Sequence, residues 1–281
     1  RDSSTSRGLG DVYKRQLWNG GRLMAGICDR SYVRTVVKTF NDMGIPLRFT
    51  FSNPVITEHD LKDDFCNFIL RTAHNGMNGV IVVSPILEQY IRENYPKYKI
   101  TSSTCKRITD INKLNEESDK DYDIVVLDYD FNNKFDLLEQ VKNKEKCEIL
   151  INACCQPNCP NRVKHYNDIG RTQKALCEHI RKKPNKPFRA SDYGIDDEYI
   201  QKCPYMYYDA VDVRQHSTHI TPEDIYNKYV PMGFRQFKIE GRTANIFNLM
   251  EYYLYYMVKP EYKDKARLAL CMNPVSYTHL R

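Results

Sequence analysis

The sequence has no long apolar run, few glycines and prolines, and none of the short motifs of common nucleotide-binding or hydrolytic enzymes. Nothing in it approaches the roughly 18 consecutive apolar residues that a membrane helix needs. Its 12 glycines and 13 prolines in 281 residues are too few for a collagenous or low-complexity chain. With 41% hydrophobic and 28% charged residues, the composition predicts a soluble, folded protein without a membrane segment.

The missing motifs exclude several familiar kinds of active site. Neither a Gly-x-Gly-x-x-Gly loop nor a Walker loop is present, which argues against dinucleotide or nucleoside-triphosphate binding. No Gly-x-Ser-x-Gly, His-Glu-x-x-His or Cys/His motif identifies a hydrolase of known mechanism. Any catalytic chemistry must therefore come from a less common arrangement.

The positive charge of the chain is concentrated at its two ends. The formal charge is +6, but both ends resemble translated sequencing-adapter read-through, a contaminant of metagenomic genes. We therefore predict artefactual or disordered tails at residues 1–16 and 275–281, around one barrel-like domain at residues 17–274. The tails hold five basic and two acidic residues, which leaves the domain at +3. That surplus is too small to indicate a nucleic-acid or anionic-membrane surface.

Ten cysteines with uneven spacing favour a reduced, cytoplasmic protein over a disulfide framework. Five of them fall within 50 residues, which is the clustering that a metal site needs. These are Cys154, Cys155, Cys159, Cys177 and Cys203. The other five are expected to be small buried hydrophobic residues. These are Cys28, Cys66, Cys105, Cys147 and Cys271.

Short β-branched runs alternate with amphipathic stretches from Pro46 onward, which is the pattern of βα units around a parallel sheet. Seven strands are predicted. They cover residues 47–53, 80–84, 98–103, 123–129, 147–153, 205–211 and 234–242. Between the first four strands, helices are predicted from a cap near Thr57 through Ile69, from Pro85 to Asn94 and from Cys105 to Asn115. One more strand, expected in a missing native N-terminal part, would complete an α/β fold of the (β/α)8 barrel type, whose active site lies at the C-terminal ends of the strands. An open doubly wound sheet is the alternative.

The segment 152–166 places cysteines where a strand ends and a helix begins. Cys155 and Cys159 stand four residues apart, so their sulfurs can reach one metal ion or cluster. The four predicted ligands of a 4Fe-4S cluster are Cys155, Cys159, Cys177 and Cys203. Zinc is an alternative, although no Cys-x-x-Cys pair is present, and buried thiols without metal are another. Cys154 can replace Cys155, because adjacent strand residues face opposite sides.

A second group of candidate residues lies in the block FKIEGR. Strand alternation puts Lys238, Glu240 and Arg242 on one face, with Phe237 and Ile239 on the other. Three charges on one face of a covered strand are costly unless they pair with each other or with a ligand. We predict that the three charged residues are catalytic and line the pocket; a solvated edge strand is the alternative.

Several other polar residues are weaker candidates. Some follow predicted strands, where barrel enzymes keep binding groups. These are Asn53, Ser84, Ser103 and Asp128. Arg162 and His165 lie near Cys159 at the start of a predicted helix.

Four features of the sequence together resemble the collagenase-like peptidase family of unassigned catalytic type, "U-32". They are the block GFRQFKIEGR, the tyrosine-rich helix after it, the TPEDI helix start before it and the cysteine-rich strand end. The resemblance covers roughly residues 47–262. It implies a barrel-like domain and, in several branches, a 4Fe-4S cluster on four cysteines. The usual His-Gly-[Ser/Ala]-x-Cys block of the family is replaced here by Asn152-Ala-Cys-Cys.

Three functions follow from these observations. The first is an iron-sulfur enzyme of redox or hydroxylation type, in which the cluster handles electrons and the charged trio places an anionic group of a small-molecule or RNA-borne substrate. The second is a peptidase or other hydrolase of the same family, acting on a peptide. The third is a non-catalytic, cluster-binding subunit of a homo- or hetero-oligomer.

Overall fold

The computed structural model describes most of the chain between Gln16 and Met272. The described ranges are 16–23, 28–183, 185–196, 202–203, 209–241 and 246–272. Gln16, which we assigned to a tail, accepts hydrogen bonds from the Asn19 N–H and the Gln173 side chain, both at 3.2 Å. The rest of the predicted tails lies outside the described residues, so the domain boundaries stay a prediction.

Within the described ranges, six parallel strands form one sheet in which each strand pairs with the next along the chain. They are β1 (Arg48–Phe51), β2 (Gly79–Val82), β3 (Lys99–Ser102), β4 (Ile124–Val126), β5 (Cys147–Leu150) and β6 (Gln236–Lys238). The sheet curls into a half-barrel. The predicted α/β class with a parallel sheet is confirmed, and closure into a (β/α)8 barrel stays a prediction.

Helices connect the strands and continue after the last one. The longer helices are α1 (Arg30–Asp42), α2 (Asp64–Ala73), α3 (Pro85–Asn94), α4 (Ile111–Asp119), α5 (Arg162–Lys182), α6 (Ile246–Met257) and α7 (Lys263–Met272). The 3₁₀ turns are Glu58–Lys62, Thr104–Lys106, Tyr129–Phe131, Lys144–Lys146, Ala190–Tyr193 and Pro260–Tyr262. Short helices are Phe135–Leu138, Ala210–Val213, Pro222–Asp224 and Val230–Met232, with a π-helical turn at Ile225–Tyr229. In the part of the chain that the structure covers, no helix is long and apolar enough to cross a membrane.

Side-chain caps decide where the helices begin. Ser84 caps α3, and Pro85 occupies its first turn, so this helix has the bounds that the sequence predicts. Asp110 caps α4, which therefore starts later than the helix predicted from Cys105. Asp63 caps α2 and separates it from a preceding 3₁₀ turn, where the sequence predicted one continuous helix.

The two faces of the sheet differ in chemistry. Val80 and Ile149 belong to the hydrophobic core on one face. On the other face, Arg48 of β1 contacts Glu148 of β5. Four strand spacings would separate these strands by about 19 Å in a flat sheet, more than the two side chains can bridge. The second face is therefore the inner, concave face of the half-barrel, and it carries these charged residues among apolar ones such as Ile81 and Val126.

The predicted strand at residues 205–211 is wrong in the part that the structure describes. Residues 205–208 lie outside the described ranges. The next residues form the short helix Ala210–Val213, because the Asp209 side chain accepts hydrogen bonds from the N–H groups of Val211 and Asp212. An aspartate in this position starts a helix by satisfying its first free donors.

Candidate functional site

A thiol, a carboxylate and a guanidinium meet where β5 and β6 end. The Cys154 thiol donates to Oε1 of Glu240, and Arg22 contacts the same carboxylate. Nη2 of Arg22 also lies 2.9 Å from Cys154 Sγ. Cys154 is 7% exposed, whereas the side chains of Arg22 and Glu240 are 30% and 21% exposed. These three residues, here named the thiol cluster, place a sulfur just below a surface that solvent reaches.

The segment 17–22 brings Arg22 to this place. Trp18 is completely buried and anchors the segment in the core. Gly20 lies against the backbone of Ser52, so closely that a Cβ atom there would be 2.1 Å from the Ser52 carbonyl oxygen. Because only glycine fits, the segment is locked across the end of β1.

The residues after Glu240 also constrain the thiol cluster. Gly241 has φ 131°, a backbone conformation that favours glycine, and a Cβ atom there would lie 3.0 Å from the ring of Tyr252. Burial, together with the charges of Cys154 and Glu240, raises the pKa of Tyr252 to about 12. The Tyr252 hydroxyl is therefore neutral at physiological pH.

A second charged group lies at the ends of β3 and β4. Arg107 lies 2.7 Å from Asp128 and 2.6 Å from Asp130, and Arg162 lies 3.0 Å from each. The Arg162 side chain has no exposed surface. Although burial acts to raise it, hydrogen bonds from the Asn158 N–H and Arg162 lower the pKa of Asp130. We name these two arginines and two aspartates the ion-pair cluster; its charges balance.

Cys155 faces a different environment from Cys154. Its thiol adjoins the Tyr129 hydroxyl, and the Arg162 guanidinium lies 3.9 Å from the centre of the Tyr129 ring. Burial raises the pKa of Cys155, while Tyr129 and Arg162 act to lower it. The two adjacent thiols, which lie beyond the end of β5, therefore have different neighbours.

Lys238 lies on the concave face, whereas Glu240 lies beyond the end of β6, and the two have separate partners. Lys238 Nζ lies 3.7 Å from a carboxylate oxygen of Glu148, which also contacts Arg48. Glu240 contacts the thiol cluster instead. Arg242, the third member of the predicted trio, lies outside the described residues.

Cys105 lies nearer to the site than the sequence suggested. A Cβ atom on Gly21, whose φ is 75°, would be 3.2 Å from the Cys105 sulfur. Burial raises the pKa of Cys105, the charge of Lys238 acts to lower it, and the charges of Glu240 and Asp128 act to raise it. We expected a small buried hydrophobic residue; the thiol instead lies within electrostatic reach of both clusters.

The four predicted cluster ligands occupy three environments. Cys155 and Cys159 interact electrostatically. Cys177 lies in the hydrophobic core beside Cys66, and Cys203 is half-buried. Over the ranges that the structure covers, no group of three or more His, Cys, Asp or Glu side chains is placed to hold a metal ion. The 4Fe-4S and zinc predictions therefore rest on the sequence alone.

The weaker candidates at the strand ends have structural contacts. Asn53 donates to the carbonyls of Leu17 and Gly170, both at 3.1 Å. Ser84 and Ser103 cap the helical turns that follow them. These contacts hold the ends of the strands in place. Of the remaining candidates, Asp128 and Arg162 belong to the ion-pair cluster, and burial lowers the pKa of His165.

Sequence reasoning missed Arg22 and Arg107. Arg22 precedes the first predicted strand, and the signal that points to it is the pair Gly20-Gly21 immediately before it. Arg107 reaches the aspartates from a backbone with φ 58°, which no local pattern predicts. Both arginines come from loops, so only the three-dimensional arrangement brings them to the strand ends.

Comparison with known proteins finds a distant relative. The chain is 25% identical over 185 residues to an uncharacterized protease of Methanocaldococcus jannaschii. The match covers 65% of this chain and 50% of that protein, so the chain spans half the length of this relative. No protein-family model and no solved structure matches the chain. The similarity supports a peptidase-like family.

Proposed function

We propose that the chain is a thiol-dependent hydrolase of the peptidase type, in which Cys154 attacks the peptide carbonyl and Glu240 carries its proton. The observation that supports this most directly is the contact of the Cys154 thiol with Glu240, with Arg22 against both. A nucleophile beside a proton acceptor is the arrangement that covalent catalysis needs. The relative from Methanocaldococcus jannaschii, named as a protease, supports the same class of reaction.

The thiol cluster keeps the sulfur neutral until a substrate binds. A thiol is ordinarily a weaker acid than a carboxylic acid, so the proton rests on the Cys154 sulfur, which donates it to the carboxylate of Glu240. The carboxylate also disfavours a thiolate beside it, whereas the Arg22 guanidinium favours one. The proton therefore moves to Glu240 as the sulfur bonds to the substrate.

The residues of the thiol cluster account for each step of hydrolysis. Cys154 Sγ bonds to the carbonyl carbon while its proton passes to Glu240. The C–N bond then breaks, and protonated Glu240 gives this proton to the leaving amine. Water hydrolyses the remaining thioester: Glu240 takes a proton from the water and returns it to the sulfur. Arg22 stabilises negative charge on either partner, because its guanidinium lies against both.

Cleavage of a mixture of short peptides, followed by mass spectrometry, tests this proposal. Cys154→Ser and Glu240→Gln are each expected to lose at least about a hundredfold in rate, since they remove the nucleophile and the proton carrier. Cys159→Ser is the matched control, because it changes a cysteine of the same segment outside the thiol cluster. Full activity in Cys154→Ser, or no cleavage by the unaltered protein, would overturn the proposal.

The iron-sulfur enzyme is a second candidate, favoured by the electrostatic contact of Cys155 with Cys159. In this function, Lys238, Glu240 and Arg242 would place an anionic group of a small-molecule or RNA-borne substrate. Protein purified without oxygen should then carry about four irons per chain, and Cys159→Ala and Cys203→Ala should lower that content. A colourless protein or one bound zinc would reject it. Failure of both functions would favour the non-catalytic subunit.

A further inference from the structure

Asn152 bonds to both backbone groups of Glu240 and is itself buried. Its Nδ2 donates to the Glu240 carbonyl at 2.8 Å, and its Oδ1 accepts from the Glu240 N–H at 2.7 Å. Asn152 is only 1% exposed. An amide side chain that satisfies a donor and an acceptor of one residue holds it like an additional rung of a β ladder.

The backbone of the sheet stops short of Glu240. Register pairing of β5 with β6 ends at Leu150 and Lys238. One more backbone bond runs from the Ile151 N–H to the Lys238 carbonyl, at 3.1 Å. Glu240 lies two residues beyond Lys238, where the Asn152 side chain replaces the ladder.

We infer that Asn152 is the positioning residue of the thiol cluster, fixing Glu240 so that its carboxylate stays on the Cys154 thiol. This inference rests on the proposed function. One residue separates Asn152 from Cys154, so the amide ties the carboxylate to the segment that carries the sulfur. Hydrogen bonds weaken steeply when alignment is lost. A displacement of about 1 Å can reduce catalysis a hundredfold.

Loss of this positioning should change two reactions of Cys154 in opposite directions. The negative carboxylate of Glu240 disfavours a thiolate, so its displacement should let the thiol ionise more easily and react faster with iodoacetamide. Peptide hydrolysis should become slower, because Glu240 must return the proton to the leaving amine. A general loss of packing would expose the sulfur and raise the labelling rate at every pH, whereas displacement of the carboxylate moves the pH profile of labelling toward lower pH.

Asn132 provides a matched control. It is also buried, and its Nδ2 donates to the carbonyls of Leu150 and Thr218, both at 2.7 Å. These bonds join the same strand end to a loop and do not involve Glu240. Asn132→Ala should therefore cost stability through unsatisfied carbonyls while the carboxylate stays on the thiol.

The experiment compares Asn152→Ala, Asn132→Ala and the unaltered chain by the pH dependence of iodoacetamide labelling. Fragmentation of the tryptic peptide 147–162 assigns the label to Cys154. In Asn152→Ala we expect labelling at neutral pH to rise about tenfold, which corresponds to a profile moved about one unit toward lower pH. Peptide hydrolysis should fall at least about tenfold. Asn132→Ala should lower the melting temperature and change neither rate of the folded protein.

An unchanged labelling profile in Asn152→Ala, or the same opposite changes in Asn132→Ala, would overturn the inference. If Asn152→Ala does not fold, Asn152→Ser retains one hydrogen-bonding group, and an intermediate shift of the profile supports the inference. The proposed function fails separately, if Cys154→Ser still cleaves peptides. If the pH profile of labelling shifts in Asn152→Ala but the unaltered chain hydrolyses no peptide, the peptidase function is rejected, and the inference that Asn152 positions Glu240 still holds.

Discussion

The thiol cluster and the ion-pair cluster lie at the same edge of the sheet but differ in composition and in exposure to solvent. In the ion-pair cluster, two guanidinium groups meet two carboxylates, and Arg162 has no exposed side-chain surface. In the thiol cluster, one guanidinium meets one carboxylate, and the third member is a neutral sulfur. The Arg22 side chain there is 30% exposed.

This difference separates a structural role from a reactive one. Taking a charge out of water costs several kcal/mol, and a buried set of charges recovers that cost only when all partners are present. The ion-pair cluster joins the end of β4 to α5 with its charges balanced, and a proton transfer within it would remove one of its ion pairs. The thiol cluster is reached by solvent and contains a group that can form a covalent bond.

The largest expected effect comes from Arg162→Ala in the ion-pair cluster. This change leaves Asp128 and Asp130 with Arg107 as their shared cation, and we expect the free energy of unfolding to fall by about 3–5 kcal/mol. Urea denaturation measures it. Arg171→Ala on α5 removes an arginine that is 55% exposed and should cost less than about 1 kcal/mol. Equal losses in the two variants would contradict a structural role for the ion-pair cluster.

Glu240→Gln tests the other side of the comparison. Peptide hydrolysis should fall about a hundredfold because the proton carrier is lost, while the free energy of unfolding changes by no more than about 1 kcal/mol. Labelling of Cys154 with iodoacetamide should become faster. Glu148→Gln, which alters a carboxylate held by Arg48 and Lys238, should leave that labelling unchanged. If Glu240→Gln lost as much stability as Arg162→Ala, the thiol cluster would have the same structural role as the ion-pair cluster.

Acid should weaken the packing of His219 against α6, outside both clusters. His219 bonds to the Tyr256 hydroxyl at 2.9 Å. Burial, with the charges of Arg214 and His216, lowers the pKa of His219 from 6.5 to about 4. Since the unfolded chain binds this proton more readily, stability is present above about pH 6.5 and is lost as the pH falls toward 4, by about 3 kcal/mol.

Denaturation curves over that pH range measure this loss, and His219→Gln should reduce the pH dependence of the free energy of unfolding. Glu117 should contribute to the pH dependence in a separate, lower pH range. Although burial acts to raise it, hydrogen bonds from Lys106, Lys120 and Ser102 lower the pKa of Glu117 from 4.5 to about 2. Its contribution is therefore lost only below about pH 4.5. If the free energy of unfolding of His219→Gln falls between pH 6.5 and 4 as steeply as that of the unaltered chain, a group other than His219 is responsible.

The fold was largely predictable because its signals are local. Apolar β-branched runs predicted the five strands between residues 47 and 153, and the block 234–242 predicted the sixth; Ser84-Pro85 predicted the start of α3. The strand predicted at 205–211 failed because Asp209 caps a helix within it. Aromatic and β-branched composition there favoured a strand, and one capping side chain outweighed it in the described part.

The site was predictable only where alternation along one strand decides which side of the sheet a side chain faces. That rule put Lys238 and Glu240 on one face; the structure has Lys238 on the concave face beside Glu148, and Glu240 beyond the strand against Cys154. It left open which of Cys154 and Cys155 faces the site, because alternation alone does not say which face turns inward. Arg22 reaches Glu240 across 218 positions of sequence, and no local pattern encodes such a contact.

The smallest effect is expected from substitution of Arg22, and the informative result is whether labelling of Cys154 becomes slower or faster. Arg22→Gln removes the cation beside the Cys154 sulfur, so the thiol should ionise less easily. Because solvent screens a side chain that is 30% exposed, we expect labelling at neutral pH to slow by about threefold to tenfold. Arg22→Lys keeps the charge and should change the rate by less than about twofold.

Arg30→Gln is the matched control, because Arg30 has a similar side-chain exposure of 28% and pairs with Asp64 at the surface. Its labelling rate should equal that of the unaltered chain. The slowing expected in Arg22→Gln is opposite in sign to the acceleration expected in Glu240→Gln, since a cation and an anion act oppositely on the same sulfur. If both variants shift the rate in one direction, the sulfur is responding to a general change in packing, and the thiol cluster is then structural like its neighbour.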